Sequence, residues 1–351
     1  MLKKIFKIIY GSILCFSRRM KVVNRQNNII NKYSISVTAF TRSPKGIVFP
    51  CRDEIPNHVE VIALNKKKLI VIIILILIFS HLLNGCNNDQ IANWGQKYGY
   101  NFGEVYQIKI ENYGFPYIEG YINGQKISLL IDTGNLVGTM ISQKEAKKIN
   151  LKQMDKWILQ DSSGNIVGEY NIYKVKELKL FDTTFENKKI YMMKDNMFDG
   201  SIGIDSLFDK SRITFDYEQE FLGISNTTSS FSKKDLGIPL IWNDRYKGML
   251  VVEGYINGFK TLIQIDTGKS RSCVDEKLIK NLKLPSSQDG YELNNVEIGP
   301  YNFKIKNAKK TSFSGISKGY PKPIMLGLGS DILSEIVFTI DYSNKRIIIN
   351  K

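Results

Sequence analysis

One segment of this chain is written twice. Residues 118–134 read IEGYINGQKISLLIDTG, and residues 252–268 read VEGYINGFKTLIQIDTG. With an offset of 134 positions, 11 of these 17 positions are identical, which is far beyond coincidence. A repeat constrains the architecture before any local structure is assigned. The sequence therefore predicts two halves that share one fold.

Each copy predicts a β-hairpin. Apolar and polar residues alternate up to Asn123-Gly124 in the first copy and Asn257-Gly258 in the second. An Asn-Gly pair between alternating segments favours a two-residue hairpin turn. The outgoing strand of each hairpin then runs directly into Asp-Thr-Gly.

The parallel continues downstream of the hairpins. Ser142 and Asp275 are candidate N-caps of short Lys-rich helices, expected over 142–149 and 275–282. Later segments also match in pairs: Ser201-Ile202-Gly203 with Met325-Leu326-Gly327, and the strand–turn–strand closures that begin at Thr214 and Thr339. Many short strands with few helices predict an all-β fold of two related lobes, joined by a polar linker at 226–235.

The positive charge of the chain is concentrated in its N-terminal part. The formal net charge is +15, but residues 1–85 hold 14 of the 49 Lys and Arg and only 3 of the 34 Asp and Glu. Residues 86–351 are left with about +4. A nearly balanced body without a clustered basic stripe argues against a nucleic-acid partner.

Histidine and cysteine are scarce, and this excludes whole classes of enzyme. The two histidines are His58 and His81, so residues 86–351 contain none. This composition excludes Ser-His-Asp and Cys-His hydrolases and His-based zinc sites from that region. Of the four cysteines only Cys86 and Cys273 lie there, too few for a disulfide framework or a cysteine zinc cage. We expect no cofactor and no metal, and we interpret Cys273 as a small buried apolar residue.

A secretory signal is predicted at 64–85. Three lysines, Lys66 to Lys68, precede an apolar run from Leu69 to Phe79, which is shorter than the roughly 20 residues that span a bilayer. The ending Leu83-Asn84-Gly85-Cys86 resembles a bacterial lipobox. The resemblance implies cleavage before Cys86, lipidation of its thiol and a place in the bacterial cell envelope, facing the periplasm or the exterior. The alternatives are an uncleaved anchor or a buried strand.

The 63 residues before this signal are unusual. We predict that 1–63 is an untranslated or disordered leader, with translation starting at Leu64; the alternative is an anchor at Ile5–Phe16. Residues 86–100 are predicted to be a polar tether. The lobes are then expected at 101–230 and 231–351.

Two Asp-Thr-Gly motifs in duplicated context resemble the retropepsin/pepsin-type aspartic proteases. An apolar-apolar-Gly segment follows each motif in the same half, and the resemblance covers about 101–351. Retropepsin-like subunits carry one such motif and pair as dimers, whereas pepsin-like enzymes join two lobes in one chain. The resemblance implies a monomer with a complete active site between two pseudo-twofold-related β-barrel lobes.

Asp132 and Asp266 are the predicted catalytic pair. Two carboxyl groups held close together share one proton, because both cannot ionise cheaply; this protease dyad is itself the standard illustration of the principle. Gly134 and Gly268 would let backbone N–H groups approach the carboxylates. The resemblance implies that the hydroxyls of Thr133 and Thr267 bond across the lobe interface.

Two positions depart from the family pattern, which usually has Ser, Thr or Ala after Asp-Thr-Gly. Asn135 is a mild departure, since its amide is able to donate toward the carboxylate. Lys269 either points to solvent or retunes or disables the site, and we favour the first interpretation. A projecting hairpin is expected around 159–167, in a stretch that the second copy lacks. The resemblance implies a flap over the cleft and makes this hairpin the candidate; the alternative is an ordinary surface hairpin.

The sequence thus predicts a membrane-anchored aspartic endopeptidase that acts on polypeptides. Two alternatives stay open. The first is a catalytically inactive, protease-like lipoprotein that binds peptides. The second is a structural envelope protein whose lobes only pack together.

Overall fold

The structure is a computed structural model. It describes residues 89–350, apart from 112, 194–196, 204–210, 226–236 and 247. The chain divides into two units, Met1–Leu83 and Asn84–Lys351, and the described residues all belong to the second. The predicted leader, signal, lipidated Cys86 and interlobe linker therefore lie outside the described residues, and they stay predictions.

The described residues form many strands and a few short helices. The helices are α1 (89–98), α2 (Gln143–Lys148), α3 (Glu276–Leu282) and α4 (Ser330–Leu333). The strands of the first half are β1 (Val105–Gln107), β2 (Lys109–Glu111), β3 (Phe115–Ile122), β4 (Gln125–Ile131), β5 (Thr139–Ser142), β6 (Gln153–Gln160), β7 (Ile166–Lys174), β8 (Glu177–Leu180), β9 (Thr183–Glu186), β10 (Lys189–Met193), β11 (Gly200–Ile202), β12 (Arg212–Asp216) and β13 (Phe221–Ser225). Those of the second half are β14 (Ile238–Pro239), β15 (Val251–Ile256), β16 (Phe259–Ile265), β17 (Cys273–Asp275), β18 (Tyr291–Ile298), β19 (Tyr301–Thr311), β20 (Ile324–Leu328), β21 (Val337–Asp341) and β22 (Arg346–Asn350). The predicted all-β fold class is confirmed.

The two predicted hairpins are present as β3–β4 and β15–β16. Asn123 and Gly124 have φ of 50° and 78°, and Asn257 and Gly258 have φ of 48° and 80°. Two successive residues with positive φ make the turn whose twist matches that of the flanking strands. The Asn-Gly pairs therefore set the register of both hairpins.

The predicted helix starts are also correct. The Ser142 side chain accepts a hydrogen bond from the Glu145 N–H at the start of α2. The Asp275 side chain accepts one from the Lys277 N–H at the start of α3. Each cap satisfies a backbone donor that the first helical turn leaves unpaired.

The two halves have the same strand order. In the first half, the order β3-β4-β11-β5-β10 forms the middle of a ten-stranded sheet. In the second, β15-β16-β20-β17-β19 follows the same order, and β18 closes these strands into a barrel. The Asp-Thr-Gly strands β4 and β16 each lie between an antiparallel and a parallel neighbour. Their apolar ends are buried on both faces, so each motif leaves the sheet from a rigid, central position.

A six-stranded sheet joins the halves, in the order β1-β13-β12-β21-β22-β14. The predicted closures are the hairpins β12–β13 and β21–β22. Their first strands pair with each other around Thr214 and Thr339, whose hydroxyl oxygens lie 2.7 Å apart. Equivalent strands thus meet residue by residue, as an approximate twofold relation requires.

One sequence match is wrong by two residues. The N–H of Asp132 donates to the Ile202 carbonyl at 2.9 Å, and that of Asp266 donates to Leu328 at 3.0 Å. Gly203 therefore corresponds to Gly329 and not to Gly327. The error arose because both glycines follow a leucine, so the three-residue match did not fix the strand register.

The structure also differs from the predicted tether where it describes it. Residues 89–98 are helical, and Trp94 is 3% exposed against Tyr100 and Phe221. Its indole N–H donates to Asp216 Oδ2 at 2.8 Å. Burial of a large aromatic ring with its polar atom satisfied fixes a segment to the body. The predicted start of the first lobe at 101 is untested. Among the described residues, no helix has the length and apolar character needed to cross a membrane.

Candidate active site

The two Asp-Thr-Gly loops meet at the interface between the halves. A Cβ placed on Gly134 would lie 2.5 Å from Asp266 Oδ2, and one placed on Gly268 would collide with the Asp132 carboxylate. Each loop therefore presses its glycine against the carboxylate of the opposite loop. A side chain at either glycine would force the loops apart, so the approach of the two carboxyl groups depends on glycine.

The threonines fasten the loops together. Thr133 Oγ1 donates to the Ile265 carbonyl at 3.0 Å and accepts from the Thr267 N–H at 3.0 Å. Thr267 Oγ1 donates to the Ile131 carbonyl at 2.7 Å and accepts from the Thr133 N–H at 3.0 Å. All four bonds are buried and related by the approximate twofold. The structure thus brings the threonines together in the arrangement that the resemblance implied.

The backbone supports both carboxylates in the same way. The Gly134 N–H donates to Asp132 Oδ1 at 2.9 Å, and the Gly268 N–H donates to Asp266 Oδ1 at 3.0 Å. Each bond fixes the rotation of its carboxyl group and leaves Oδ2 available to other partners. The two aspartates are therefore oriented by covalently adjacent backbone, which limits their movement.

The protonation of Asp132 is strongly perturbed. Burial and the charge of Asp266 raise the pKa of Asp132 from 3.8 to about 7, although the Lys269 ammonium and the Gly134 N–H oppose the rise. A side-chain hydrogen bond with Asp266 adds to it. Below about pH 7 the pair therefore holds a proton at Asp132, which can act as an acid.

Asn135 does not serve the carboxylates. Its side-chain N–H group donates to the Gly138 carbonyl at 2.7 Å and to Ser201 Oγ at 3.1 Å, and its Oδ1 accepts from Val137 N–H at 3.1 Å. Both functions of the amide are thus taken by its own half. The expectation that Asn135 donates toward the dyad is wrong, because a partner of matching polarity lies on the neighbouring strand.

Lys269 turns into the site. Its Nζ forms an ion pair with Asp266 Oδ2, and its side chain is 25% exposed. Burial lowers the pKa of Lys269, but the Asp266 carboxylate, together with Cys273 and Asp132, raises it, and the net shift is upward. The interpretation that favoured a solvent-facing lysine is therefore wrong, because the ion pair with Asp266 holds the ammonium in the site.

The predicted flap is the hairpin β6–β7, whose turn spans 161–165. At its base, Asp161 Oδ1 accepts from the N–H groups of Ser163 and Asn165. The tip reaches the loop 312–316 of the other half. Five hydrogen bonds join them: Gly315 N–H and Ile316 N–H to Ser162 O, Ser162 Oγ and Ser163 Oγ to Ser312 O, and Ser314 Oγ to Ser163 O. The flap therefore closes over the dyad and rests on the opposite half.

Beneath the flap lies a cleft of about 740 Å³ that contains both aspartates. Its lining combines apolar side chains with a few polar ones, including Leu136, Met140, Trp157, Met249, Arg245 and Lys318. Sequence reasoning missed the second-half contributors, because the segments that carry them, around Arg245, Met249 and Lys318, have no counterpart motif in the repeat. Such a groove fits an extended chain with apolar side chains.

Cys273 lies close to this site, but its surroundings do not favour the thiolate that a nucleophile needs. It is partly buried, and its Sγ contacts the Arg271 carbonyl at 3.5 Å. Burial raises its pKa, so the thiol stays protonated at neutral pH. Within the described residues, no three His, Cys, Asp or Glu side chains gather in a way that would hold a metal ion.

Comparison with known proteins agrees with the resemblance to aspartic proteases. A family model described as aspartyl protease matches residues 118–206. That stretch contains the first Asp-Thr-Gly loop, the flap and the strand β11 that supports the loop. A search of curated proteins found no match. The fold, the site geometry and the family match together support an aspartic protease-like family.

Proposed function

We propose that this protein is an aspartic endopeptidase whose two lobes arose by duplication within one chain. The observation that carries the proposal is the pair Asp132 and Asp266, held face to face by glycines and threonines from both halves. Its substrate is an extended polypeptide that lies in the cleft beneath the flap. Asp132 and Asp266 are its catalytic residues.

The reaction is the addition of water to a peptide carbonyl. One ionised carboxylate takes a proton from water as the water oxygen bonds to the carbonyl carbon, while the protonated partner gives its proton to the carbonyl oxygen. The tetrahedral diol then collapses: its hydroxyl proton returns to the second carboxylate, the first carboxyl protonates the amide nitrogen, and the C–N bond breaks. The pair ends in its starting protonation state, so the cycle needs no other reactant.

The flap supplies two further requirements. By covering the dyad it excludes bulk water, which strengthens the electrostatic interactions within the cleft. Its backbone also offers hydrogen-bonding groups to an extended peptide from above. Substrate entry requires the contacts between Ser162 and the loop 312–316 to open, and the same contacts can re-form over the bound peptide.

The location of the protein is a second part of the proposal. The lysine-rich start, the short apolar run and the ending at Cys86 favour a lipid-anchored protein of a bacterial cell envelope. With Cys86 lipidated, the helix α1 would begin within a few residues of the membrane surface. Mass spectrometry of the native protein tests this: a diacylated peptide that starts at Cys86 is expected, and an unmodified peptide spanning Gly85 and Cys86 would contradict it.

A peptide library tests the activity. The purified chain is incubated with the library over a pH series, and the products are identified by mass spectrometry. Wild type is expected to cut within peptides at apolar residues, and Asp132→Asn and Asp266→Asn are expected to cut none. Equal cleavage by all three proteins would refute the assignment.

A second candidate function is peptide binding without turnover. The ion pair between Lys269 and Asp266 favours it, because a cation at the dyad stabilises the doubly ionised state, which lacks the acid. This candidate predicts that peptides are retained intact by wild type and by both Asn variants alike. Hydrolysis by wild type alone would exclude it.

A further inference from the structure

We propose that Lys269 divides the roles of the dyad: it holds Asp266 as the permanent carboxylate, leaves the shared proton on Asp132, and so extends activity toward low pH. The inference rests on the proposed function and deepens it. Lys269 is a positioning residue in this scheme, because it acts through Asp266 and is not required to touch the substrate.

The two aspartates have the same backbone support but different neighbours on Oδ2. Asp266 receives the Gly268 N–H on Oδ1 and the Lys269 ammonium on Oδ2. Asp132 receives the Gly134 N–H on Oδ1 and has no comparable cation on its Oδ2 among the described contacts. The backbone support is therefore symmetric, whereas the charge is placed on one member only. A cation in contact with one carboxylate favours ionisation there and leaves the proton to the other.

The strand beside Lys269 differs from its counterpart in the first half. Asn135 is the counterpart of Lys269, and Ser201 is the counterpart of Gly327 by the strand pairing. In the first half, the Asn135 amide bonds to Ser201 Oγ. In the second, a Cβ on Gly327 would lie 3.5 Å from Lys269 Cε, so the lysine stem passes in van der Waals contact beside the glycine that replaces this serine. The two differences between the halves thus complement each other.

A third difference lies beside the same glycine. Gln264 occupies the position of Leu130, is buried, and its Oε1 has no hydrogen-bond partner among the described residues. That oxygen and Lys269 Cε each lie 3.5 Å from the Cβ position of Gly327. The second half therefore differs from the first at three neighbouring positions, one of which carries the cation that contacts the dyad.

Other ionisable groups near the lysine do not supply this charge balance. The groups that act on Lys269 or Asp266 electrostatically are Asp132, Cys273 and Tyr217, and Asp161, Arg245 and Lys318 line the cleft further out. Cys273 and Tyr217 are neutral near pH 7, because burial raises the pKa of both. Lys269, Asp132 and Asp266 remain. In the active form one of the two aspartates is protonated, so the lysine charge balances the single carboxylate charge and the group is electrically neutral.

The pH profile of kcat/KM tests the inference. Lys269→Met removes the charge and keeps the length of the side chain, and Lys260→Met is the matched control on a distant exposed hairpin. We expect the acidic limb of Lys269→Met to move at least about one unit to higher pH, with a smaller rise of the basic limb. The control is expected to keep both limbs. An acidic limb that does not move in Lys269→Met would overturn the inference.

A second variant tests the inference if Lys269→Met does not fold. The double variant Lys269→Asn with Gly327→Ser copies the arrangement of Asn135 and Ser201 in the first half. It is expected to show the same displaced acidic limb as the single variant. Wild-type limbs in this double variant would likewise overturn the inference.

A titration separates the inference from the proposed function. Carbon-13 NMR of aspartate carboxyls follows the protonation of the dyad without any substrate. In wild type one dyad carboxyl is expected to stay ionised to lower pH than either does in Lys269→Met; identical titrations would sink the inference. Absence of cleavage by wild type together with a lysine-dependent titration would refute the protease and leave the division of protonation standing.

Discussion

At the scale of single residues, the site is defined by what its glycines omit and its threonines supply. Gly134 and Gly268 remove the steric barrier between the two loops, and Thr133 and Thr267 tie each loop to the strand of the other half. The same hydroxyl donates to a carbonyl and accepts from an N–H, so each threonine satisfies two buried backbone groups. The residues that hold the lobes together are therefore the residues that align the aspartates.

This double role predicts a cost in stability. Thr133→Val keeps the shape of the side chain but leaves the Ile265 carbonyl and the Thr267 N–H without partners. Each buried unpaired group costs about 1–3 kcal/mol, so with two such groups we expect the free energy of unfolding to fall by roughly 2–6 kcal/mol. Urea unfolding measures it, with the exposed Thr183→Val as the control. Equal stability of Thr133→Val and wild type would contradict the shared role of the hydroxyl.

Residue identity in the dyad loops could be predicted from sequence, but side-chain direction could not. The repeat placed both aspartates, both threonines and both glycines in the same context. The conformations of Asn135 and Lys269 depend on Ser201 and Gly327, which lie more than 50 positions away in sequence. The sequence around Asn135 or Lys269 does not show whether the neighbouring strand carries a serine or a glycine at the position of contact.

At the scale of elements, the halves differ most in the flap. The hairpin β6–β7 is present in the first half, and the loop 312–316 of the second half receives its tip. The extra length and the polar turn residues around 159–167 indicated the hairpin from sequence. The loop that the flap tip contacts could not be predicted from sequence, because the contacts are made by serine hydroxyls and backbone groups of an irregular segment.

The flap contact predicts a specific effect of Gly315→Ala. A Cβ on Gly315 would lie 2.6 Å from the Ser163 carbonyl carbon, so the flap tip must move away and the N–H of Ile316 loses Ser162 O. We expect hydrogen exchange at Ile316 to become at least roughly tenfold faster. Gly103→Ala, at a glycine whose Cβ position meets open space, is the matched control. Unchanged protection at Ile316 would show that the flap does not depend on this contact.

The strand register could be predicted for the hairpins but not for β20. The hairpins were predictable to the residue because Asn-Gly turns fix their own geometry. The match of Gly203 to Gly327 failed because β20 contains Gly327 and is followed by Gly329, and the alternation of a strand permits a shift of two. Only the hydrogen bonds from Asp132 and Asp266 to the neighbouring strands decide between them.

At the scale of the whole molecule, the two halves are one folding unit around a shared sheet. The pairing of β12 with β21 and the packing of α1 through Trp94 onto β13 join segments that are far apart in sequence. The sequence indicated the duplication, but not that residues 89–98 are part of the body. Polar composition masked the spacing of Ile91, Trp94 and Tyr98, which gives this short helix an apolar face.

The buried dyad predicts how the stability of the molecule depends on pH. The pKa of Asp132 is raised from 3.8 to about 7, so between these values the folded protein binds a proton that the unfolded chain has lost. Rising pH therefore favours the unfolded state across this range, and the effect ends above about pH 7. Relative to Asp132→Asn, we expect wild type to lose roughly 2–4 kcal/mol of unfolding free energy between pH 4 and pH 7.

Urea unfolding of both proteins over a pH series checks this. The comparison cancels the carboxylates that lie away from the dyad, since their surroundings are the same in both proteins. A wild type that gains stability over Asp132→Asn as the pH rises would contradict the protonated state of Asp132. A difference that does not change with pH would contradict it as well.

The central claim is that Asp132 and Asp266 work as one catalytic unit, and a kinetic cycle tests it most directly. Values of kcat/KM are measured for wild type, Asp132→Asn, Asp266→Asn and the double variant, on one peptide and at one pH. We predict that each single variant loses roughly 10³-fold or more and that the double variant loses no more than the worse single one. Peptide cleavage at the wild-type rate by either single variant would contradict the account.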